Sequence, residues 1–311
     1  MATLGSFFQQ VMRECGDHPA DPLLAQQWFQ DRYNSVCERA PWPWLLREST
    51  FSTVAAITAG TVTVTAGSAT VSETTTNANG WSSSVEGRYF RRDGDSEFYP
   101  IDTFTNGTPD TLTLNRVYEG DTGTVKGYTI FQRIYSLASD CRMVLNMCVI
   151  DSPTPMIEVS QMQMDDAILN RPSEGSPPSY WASIGRDSSD LMRVELYPSP
   201  DEAHGILYHY IQSTPTVADQ DASIIANVNH SVLRAGWMSN YWAWRAAHDD
   251  APAERCLEMS KRYELEFERR LQEMVIRECP NWAPQPLRWR HRVWKHRRGK
   301  FDTARDNIRL P

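Results

Sequence analysis

The chain has 311 residues and a mass of 35.5 kDa; 41% of its residues are apolar, 23% are charged, and its formal net charge is −8. No stretch of about 18 consecutive apolar residues occurs, which excludes a transmembrane helix, and the N-terminus lacks a signal-peptide pattern, so we expect a soluble protein that is not secreted. The six cysteines form no CxxC pair, which argues against a disulfide framework or a Cys-based zinc site and predicts reduced, mostly buried thiols.

An amphipathic helix is predicted near the start of the chain. Asp21 and Pro22 form an N-cap and first-turn signal, and Pro41 ends the helix. Trp42 and Trp44 follow in a proline-bounded corner, and we expect their indoles to pack on an apolar surface. The apolar residues of the helix recur at spacings of three and four, as on a buried face: Ala25, Phe29, Tyr33, Val36 and Ala40.

From residue 51 to residue 136 the composition changes to Thr, Ser, Val and Gly. Apolar and polar residues alternate strictly in 61–65 and again in 111–114, which predicts half-buried strands. Asp93 and Gly94 stand between two runs rich in aromatic residues, a pattern typical of a tight hairpin. We therefore expect an inserted all-β domain of five or six strands.

Residues 137–227 are predicted to form a second β segment. Residues 171–178 contain three prolines and a glycine and predict one long loop. Strands predicted at 191–197 and 205–212 flank a Pro-Ser-Pro-Asp turn, which we interpret as a second hairpin. Three methionines are expected to fill gaps in the core rather than to bind a metal: Met156, Met162 and Met164.

Two helices are predicted in residues 228–279, joined by only a few residues and therefore antiparallel. The first has two apolar faces, one with Leu233, Trp237, Tyr241 and Trp244 and the other with Val232, Met238 and Trp242. The second has a single inward stripe, which consists of Cys256, Ser260, Tyr263, Phe267, Leu271 and Met274. We expect the first helix to be buried on both of its apolar faces.

The final segment, 280–311, is predicted to be an extended basic tail. The last 27 residues carry nine basic and two acidic residues, whereas residues 1–284 carry 22 basic and 37 acidic residues and a net charge of −15. Prolines separate the tail from the preceding helix and favour an extended chain. Its cationic and indole side chains alternate, and we predict that they dock on a partner: Arg288, Trp289, Arg290, Arg292, Trp294, Lys295, Arg297, Arg298 and Lys300.

Three interpretations of this tail remain open. A basic terminus is most often a solvated charge run, but disordered tails are poor in aromatic residues, and Trp and Arg are enriched at interface hot spots. We therefore favour a docking tail, with an acidic protein ahead of DNA as its partner, because few side chains suited to reading bases accompany it. The acidic body is not expected to wrap DNA.

Signals for catalysis and cofactors are nearly absent. The chain has no GxxxxGK[ST], GxGxxG, HExxH or GxSxG motif. The adjacent pairs Asp165-Asp166 and Asp249-Asp250 are interpreted as caps or surface residues, and His204 and His209 should not form a two-ligand clasp. A hydrolase of cell-wall glycans needs only two carboxylates that the fold brings together, so the sequence leaves it as a distant alternative. We expect no catalytic residue, no cofactor and no metal site.

The order of these segments resembles a known family of virion proteins. Over residues 20–279 the chain is similar to tailed-bacteriophage head-to-tail adaptors of the podovirus tail-tubular or head-completion type. The motifs that carry the resemblance are Trp42-Pro43-Trp44-Leu45, residues 64–71, Gly87-Arg88-Tyr89-Phe90-Arg91, Tyr128-Thr129-Ile130-Phe131, Leu196-Tyr197-Pro198-Ser199-Pro200-Asp201, and the C-terminal helical pair.

The resemblance implies an α+β fold. Helices in 1–48 and 228–279 would form a bundle, interrupted by the inserted β-domain and followed by the extended C-terminal tail.

The resemblance also implies a structural role without enzyme activity. A twelvefold ring would lie in the neck of the virion below the portal, extend the channel through which DNA passes on ejection, and carry the tail. Its partners would be the portal protein, a tail or nozzle protein, neighbouring adaptor subunits and passing double-stranded DNA without sequence specificity, with no membrane; assembly would take place in the host cytoplasm. Trp237, Trp242 and Trp244 are the candidates for the contact between subunits. A DNA clamp in the channel is the alternative.

Overall fold

A computed structural model describes residues 22–74, 80–150, 152, 155–168, 177–214, 229–248 and 252–280, together with residues 7, 11 and 13. The described helices are α1 (Pro22–Arg39), α2 (Gln161–Ile168), α3 (His230–His248) and α4 (Ala253–Glu278), and short 3₁₀ turns span Pro43–Leu45 and Ser83–Val85. The first seven strands are β1 (Leu46–Ser52), β2 (Val62–Val64), β3 (Thr70–Glu73), β4 (Tyr89–Arg92), β5 (Tyr99–Thr105), β6 (Thr111–Leu114) and β7 (Gly123–Lys126). The remaining strands are β8 (Tyr128–Phe131), β9 (Ile134–Ser136), β10 (Cys141–Val149), β11 (Ile157–Glu158), β12 (Tyr180–Arg186), β13 (Met192–Tyr197) and β14 (Gly205–Gln212).

The chain is of the α+β class and divides into two compact units. One contains the described parts of residues 1–46 and 214–311 and is helical; the other, residues 47–213, contains the strands and α2. The helical unit therefore consists of residues from both ends of the sequence, and the residues of the β unit lie between these two stretches in the sequence.

The predicted stripe of α1 is confirmed in the helical unit. Ala25, Phe29, Tyr33, Val36 and Ala40 are all at most 5% exposed. In the corner that follows, the Trp42 indole Nε1 donates a 2.6 Å hydrogen bond to the Val36 carbonyl oxygen and its ring stacks on that of Trp44. The indoles thus pack where the proline-bounded corner predicts them.

Helices α3 and α4 lie side by side and run antiparallel. The hydroxyl of Ser239 donates to the Ser260 carbonyl oxygen (3.1 Å), and the hydroxyl of Ser260 donates back to the Ser239 carbonyl oxygen (2.9 Å). The predicted inward stripe of α4 is confirmed, since Cys256, Phe267 and Leu271 are at most 2% exposed. Each serine hydroxyl thus donates to the backbone of the other helix, so the two helices pack together here without a buried, unpaired hydroxyl donor.

A seven-stranded sheet forms the first part of the β unit, in the order β7-β2-β3-β6-β5-β4-β8. Its two outermost strands, β7 and β8, follow each other in the chain and are separated by Gly127 alone. The alternation predicted for β2 and β6 is confirmed, because Val62, Val64, Leu112 and Leu114 all belong to the buried core of this sheet. The number of strands is seven rather than the expected five or six.

The hairpin predicted at Asp93-Gly94 is confirmed as an antiparallel pair with a turn at these residues, but it is not tight, because residues 91–98 connect the innermost pair, Phe90 and Tyr99. Strands β4 and β5 pair antiparallel, and Gly94 has a φ of +89°, a conformation that glycine adopts without a steric penalty. The segment from 51 to 136 nevertheless extends beyond the seven-stranded sheet at both ends, because β1 pairs with β14 and β9 pairs with β13.

The second hairpin predicted around Pro198 is wrong. Strand β13 pairs with β12 and β9 in a four-stranded sheet, β11-β12-β13-β9, whereas β14 pairs with β1 and β10 in a three-stranded sheet, β1-β14-β10. The turn is present, but it carries the chain from one sheet to the other. A core shared by both sheets makes this exchange favourable, and it includes Tyr135, Met147, Trp181, Val194 and Tyr208.

Two predictions on sulfur-bearing residues have different outcomes. Met156 and Met164 are buried, but the prediction that Met162 fills the core is wrong, because 77% of this residue is exposed on α2. The expectation of reduced, mostly buried thiols is confirmed for the five described cysteines, which are all free and of which only Cys148 is half-buried. Cys15, Asp21, Asp249, Asp250 and residues 171–176 of the long loop lie outside the described residues.

Candidate functional site

The indole of Trp237 belongs to the core of its own subunit. The residue is 0% exposed, and its Nε1 donates a 3.0 Å hydrogen bond to the Ala25 carbonyl oxygen on α1. Its ring stacks on Tyr241 at 5.6 Å and meets Trp28 edge-on at 5.8 Å. Trp237 therefore presents no surface to a neighbouring subunit, and of the three tryptophans predicted for the subunit contact, only Trp242 and Trp244 remain candidates.

Trp242 and Trp244 are half-buried at the C-terminal half of α3. The Arg245 guanidinium lies over the Trp242 ring at 5.3 Å, and the Trp242 Nε1 is buried with no hydrogen-bond acceptor among the described residues. The Trp244 ring stacks on His248 at 5.1 Å. Indoles with a buried part and an exposed part are typical of contact surfaces, because they combine a large apolar area with a polar group.

A charged network on α1 fixes the positions of the three long helices. The Arg32 side chain donates hydrogen bonds to Glu264 on α4 (2.8 Å) and to Asn240 on α3 (2.6 Å), and its guanidinium lies 5.1 Å from the centre of the Phe267 ring. Burial raises the pKa of Glu264, but hydrogen bonds from Arg32 and Ser239 outweigh burial, so that this pKa lies below its usual value. One side chain thus connects α1, α3 and α4.

A cavity of about 210 Å³ lies where α3 begins and α4 ends. Asn229 and Ser231 line it from α3, and Met274 and four charged residues line it from α4. Asn229 caps α3, because its side-chain oxygen accepts hydrogen bonds from the Ser231 backbone N–H (3.0 Å) and from the Ser231 hydroxyl (2.8 Å). The charged residues in the wall are Arg269, Arg270, Glu273 and Arg277.

Four of the twelve large apolar residues that are exposed in the described part of the chain belong to the three-stranded sheet β1-β14-β10 or adjoin it. Leu46, Met143, Leu145 and Ile150 are each between 39% and 54% exposed on or beside its outer strands. Across the middle of the sheet, His209 bonds Asn146 (2.7 Å) and lies 3.1 Å from a Glu48 carboxylate oxygen. Apolar surface of this kind is typical of contact regions between proteins.

No metal site is found in the part of the chain that the structure describes, because no three His, Cys, Asp or Glu residues come together there. His209 is held by Glu48 and Asn146 rather than by His204, which precedes β14. Asp165 lies inside α2, where it accepts a hydrogen bond from Gln161. Among the described helices, none is sufficiently long and apolar to span a bilayer.

All nine residues of the predicted docking tail, from Arg288 to Lys300, lie outside the described residues. The docking role of the tail therefore stays a prediction from its charge and its two tryptophans.

The family of the chain follows from its sequence over the second half of the β unit and the helical pair. A model of the family described as SU10 adaptor protein matches residues 113–290, more than half of the chain. The chain belongs to this family. It is a structural adaptor protein of a phage and a component of the virion. No curated protein matches the chain.

The match to the SU10 adaptor family begins within β6 and continues past the end of α4, so it includes α3, α4 and the arginine-lined cavity. The expectation of a phage adaptor is confirmed at this level. A structural family also agrees with the expectation of a chain without catalytic residues.

The arginine-lined cavity was missed by sequence reasoning. Arg277 follows Arg269 by eight residues and Arg270 by seven, about two helical turns in each case. This spacing places the three arginines on one side of α4 and was an available signal. Asn229 and Ser231 carry no such signal, because only the antiparallel pairing of α3 with α4 brings them to the same place.

Proposed function

We propose that this adaptor joins head and tail in a tailed phage of the podovirus tail-tubular or head-completion type. Twelve copies would form a ring in the neck below the portal, extend the DNA channel and carry the tail. The observation that carries the proposal is the family match over residues 113–290, which spans the helical pair α3–α4. The bundle of this proposal would consist of α1, α3 and α4, with the β unit inserted in the sequence between α1 and α3.

The contact between neighbouring copies is assigned to the half-buried indoles of Trp242 and Trp244. A ring needs one heterologous contact that repeats and closes by rotation. The two indoles supply exposed aromatic area next to the Arg245 guanidinium, a combination enriched at contact hot spots.

The net charge of residues 1–284, −15, supports a channel wall that does not hold passing DNA. The tail, with a net charge of +7, binds an acidic surface on a portal subunit or on the next adaptor copy, and because every copy contributes one tail, the binding is multivalent. Fully extended, its 27 residues reach about 90 Å at roughly 3.3 Å per residue.

Removal of residues 285–311 tests this role. We expect a folded protein that no longer joins portal-bearing heads, measured by electron microscopy of purified heads incubated with the chain. The matched control keeps the composition and charge of the tail but scrambles its order, and it should bind weakly because its tryptophans and arginines no longer alternate. A truncated chain that assembles on heads as well as the intact chain refutes the role of the tail.

A DNA clamp in the channel is the second candidate, and the basic tail favours it. It requires affinity for duplex DNA that falls steeply with salt. The logarithm of the association constant should fall with the logarithm of the salt concentration, with a slope of up to about 0.9 per phosphate contacted. A flat salt dependence rejects the clamp and leaves the portal-docking role in place.

A further inference from the structure

The arginine-lined cavity between the start of α3 and the end of α4 has the chemistry of an anion site. Three of its four charged wall residues are arginines, so the wall has two more positive than negative charges. Two more carboxylates, Glu266 and Glu278, pair with these arginines but do not line the cavity. The residues that line the cavity therefore have an excess of positive charge, and two of the three carboxylates that pair with the arginines lie outside its wall.

The existing ion pairs do not use up the arginines. Arg269 donates one terminal N–H to Glu273 and Arg277 donates one to Glu278, each at 2.8 Å, and both arginine side chains are about two-thirds exposed. A guanidinium carries five N–H donors, and exposed ion pairs of this kind stabilise a protein by at most about 1 kcal/mol. A new carboxylate can thus bind without the loss of a strong internal contact.

Arg270 is the least exposed of the three, at 32%, and pairs with Glu266 one turn earlier on α4. It lines the cavity together with the buried Met274 and is therefore the most enclosed cation of the site, whereas Arg269 and Arg277 are the more exposed ones. Bidentate pairing of an arginine with a carboxylate combines strength with a defined geometry.

The size and surroundings of the cavity favour a single protein carboxylate over nucleic acid. About 210 Å³ admits one acidic side chain, whereas a DNA backbone presents a row of phosphates to the surface. Outside the cavity wall, α4 carries six acidic and three basic residues, so a polyanion lying along the helix would meet repulsion.

We propose that this cavity binds an Asp or Glu side chain from an acidic segment of a partner protein, with Arg270 as the principal ligand and Arg269 and Arg277 closing over it. The proposal rests on the proposed adaptor function only for the idea that the partner is another virion protein. The binding chemistry itself belongs to this chain and can be measured without a ring or a portal.

The test uses the full chain and a fluorescent hexaglutamate peptide at fixed ionic strength, followed by fluorescence anisotropy. Arg269→Gln with Arg277→Gln should weaken peptide binding about tenfold, the loss expected for one or two charge-assisted hydrogen bonds. Arg255→Gln with Arg262→Gln is the matched control, because it removes the same charge from the same helix outside the cavity wall. This control should change binding by less than about twofold, since the basic residues after 285 are present in both variants.

Arg270→Gln provides a second variant, with circular dichroism to verify its fold, and it should weaken the peptide at least as much as the double variant. Equal losses in the cavity variant and its control, or no peptide binding by the intact chain, overturn the proposal. A duplex oligonucleotide that binds more tightly than the peptide and loses more affinity in the cavity variant overturns the choice of a protein carboxylate. Because the assay contains no portal, its failure leaves the portal-docking test of the tail unaffected.

Discussion

Gly236 on α3 lies against Arg32 of α1 and Phe267 of α4, and Gly236→Ala should destabilise the helical unit. A Cβ atom built at this position would lie 2.9 Å from Arg32 Cδ and 2.9 Å from Phe267 Cδ2. Ordinary van der Waals contacts at Cβ are 3.4–4 Å, so both neighbours would have to retreat. Neither moves easily, because Phe267 is 1% exposed and Arg32 is held by Glu264 and Asn240.

The magnitude follows from two opposing effects. Overpacking of a filled core costs about 1–3 kcal/mol, and displacement of Arg32 weakens hydrogen bonds to a charged partner that contribute about 1.5–3 kcal/mol. Replacement of glycine by alanine inside a helix returns about 1 kcal/mol. We therefore expect Gly236→Ala to lower the free energy of unfolding by about 1–3 kcal/mol.

Urea unfolding followed by tryptophan fluorescence measures this effect, because six of the eight tryptophans in the described residues lie in the helical unit. Ala243→Gly, on the exposed side of the same helix, isolates helix propensity and should destabilise by about 1 kcal/mol. In an Arg32→Ala background one of the two collisions is absent, so Gly236→Ala should cost about 1 kcal/mol less there. A Gly236→Ala chain as stable as the wild type, or more stable, refutes the packing argument.

Three further predictions concern single sites. Hydrogen bonds from the Leu191 backbone N–H, the Ser189 backbone N–H and the Ser136 hydroxyl lower the pKa of Asp187. The stability that the Asp187 carboxylate contributes is therefore fully present above its unfolded pKa of about 3.9 and is lost as pH falls through the folded pKa. Asp187→Asn should lower the urea midpoint at about pH 7 but much less at about pH 3. Asp190 has a φ of +61°, and its ion pair with Arg186 is exposed, so Asp190→Gly should raise the free energy of unfolding by about 0.5 kcal/mol in the same assay; a lower free energy of unfolding would contradict the strain at this residue. Trp237→Phe removes the hydrogen bond to Ala25 and part of a buried indole and should cost about 2–3 kcal/mol in urea unfolding, whereas Trp244→Phe should cost under about 1 kcal/mol; equal costs would contradict the assignment of Trp237 to the core.

Prediction of the candidate site from the sequence is limited by long-range contacts. Both apolar faces of α3 were visible in its periodicity, and the three tryptophans looked equivalent there. The structure separates them, because α1 supplies the Ala25 carbonyl and the Trp28 ring that enclose Trp237. The arginine cavity likewise needs α3 beside α4, and no local pattern in Asn229 or Ser231 announces it.

The sequence by itself determined the local elements: the buried stripe of α1, the alternation of β2 and β6, the turn at Asp93-Gly94 and the inward face of α4. These local elements depend on interactions between residues close in the chain, and the helical and strand periodicities of the sequence predict such interactions directly. Tertiary structure alone decided which strands pair, as in the order of the seven-stranded sheet and in the pairing of β14 with β1 and β10 rather than with β13. Pairing depends on which distant apolar faces bury each other most completely, and the core shared by the two smaller sheets is built from residues that lie far apart in the chain.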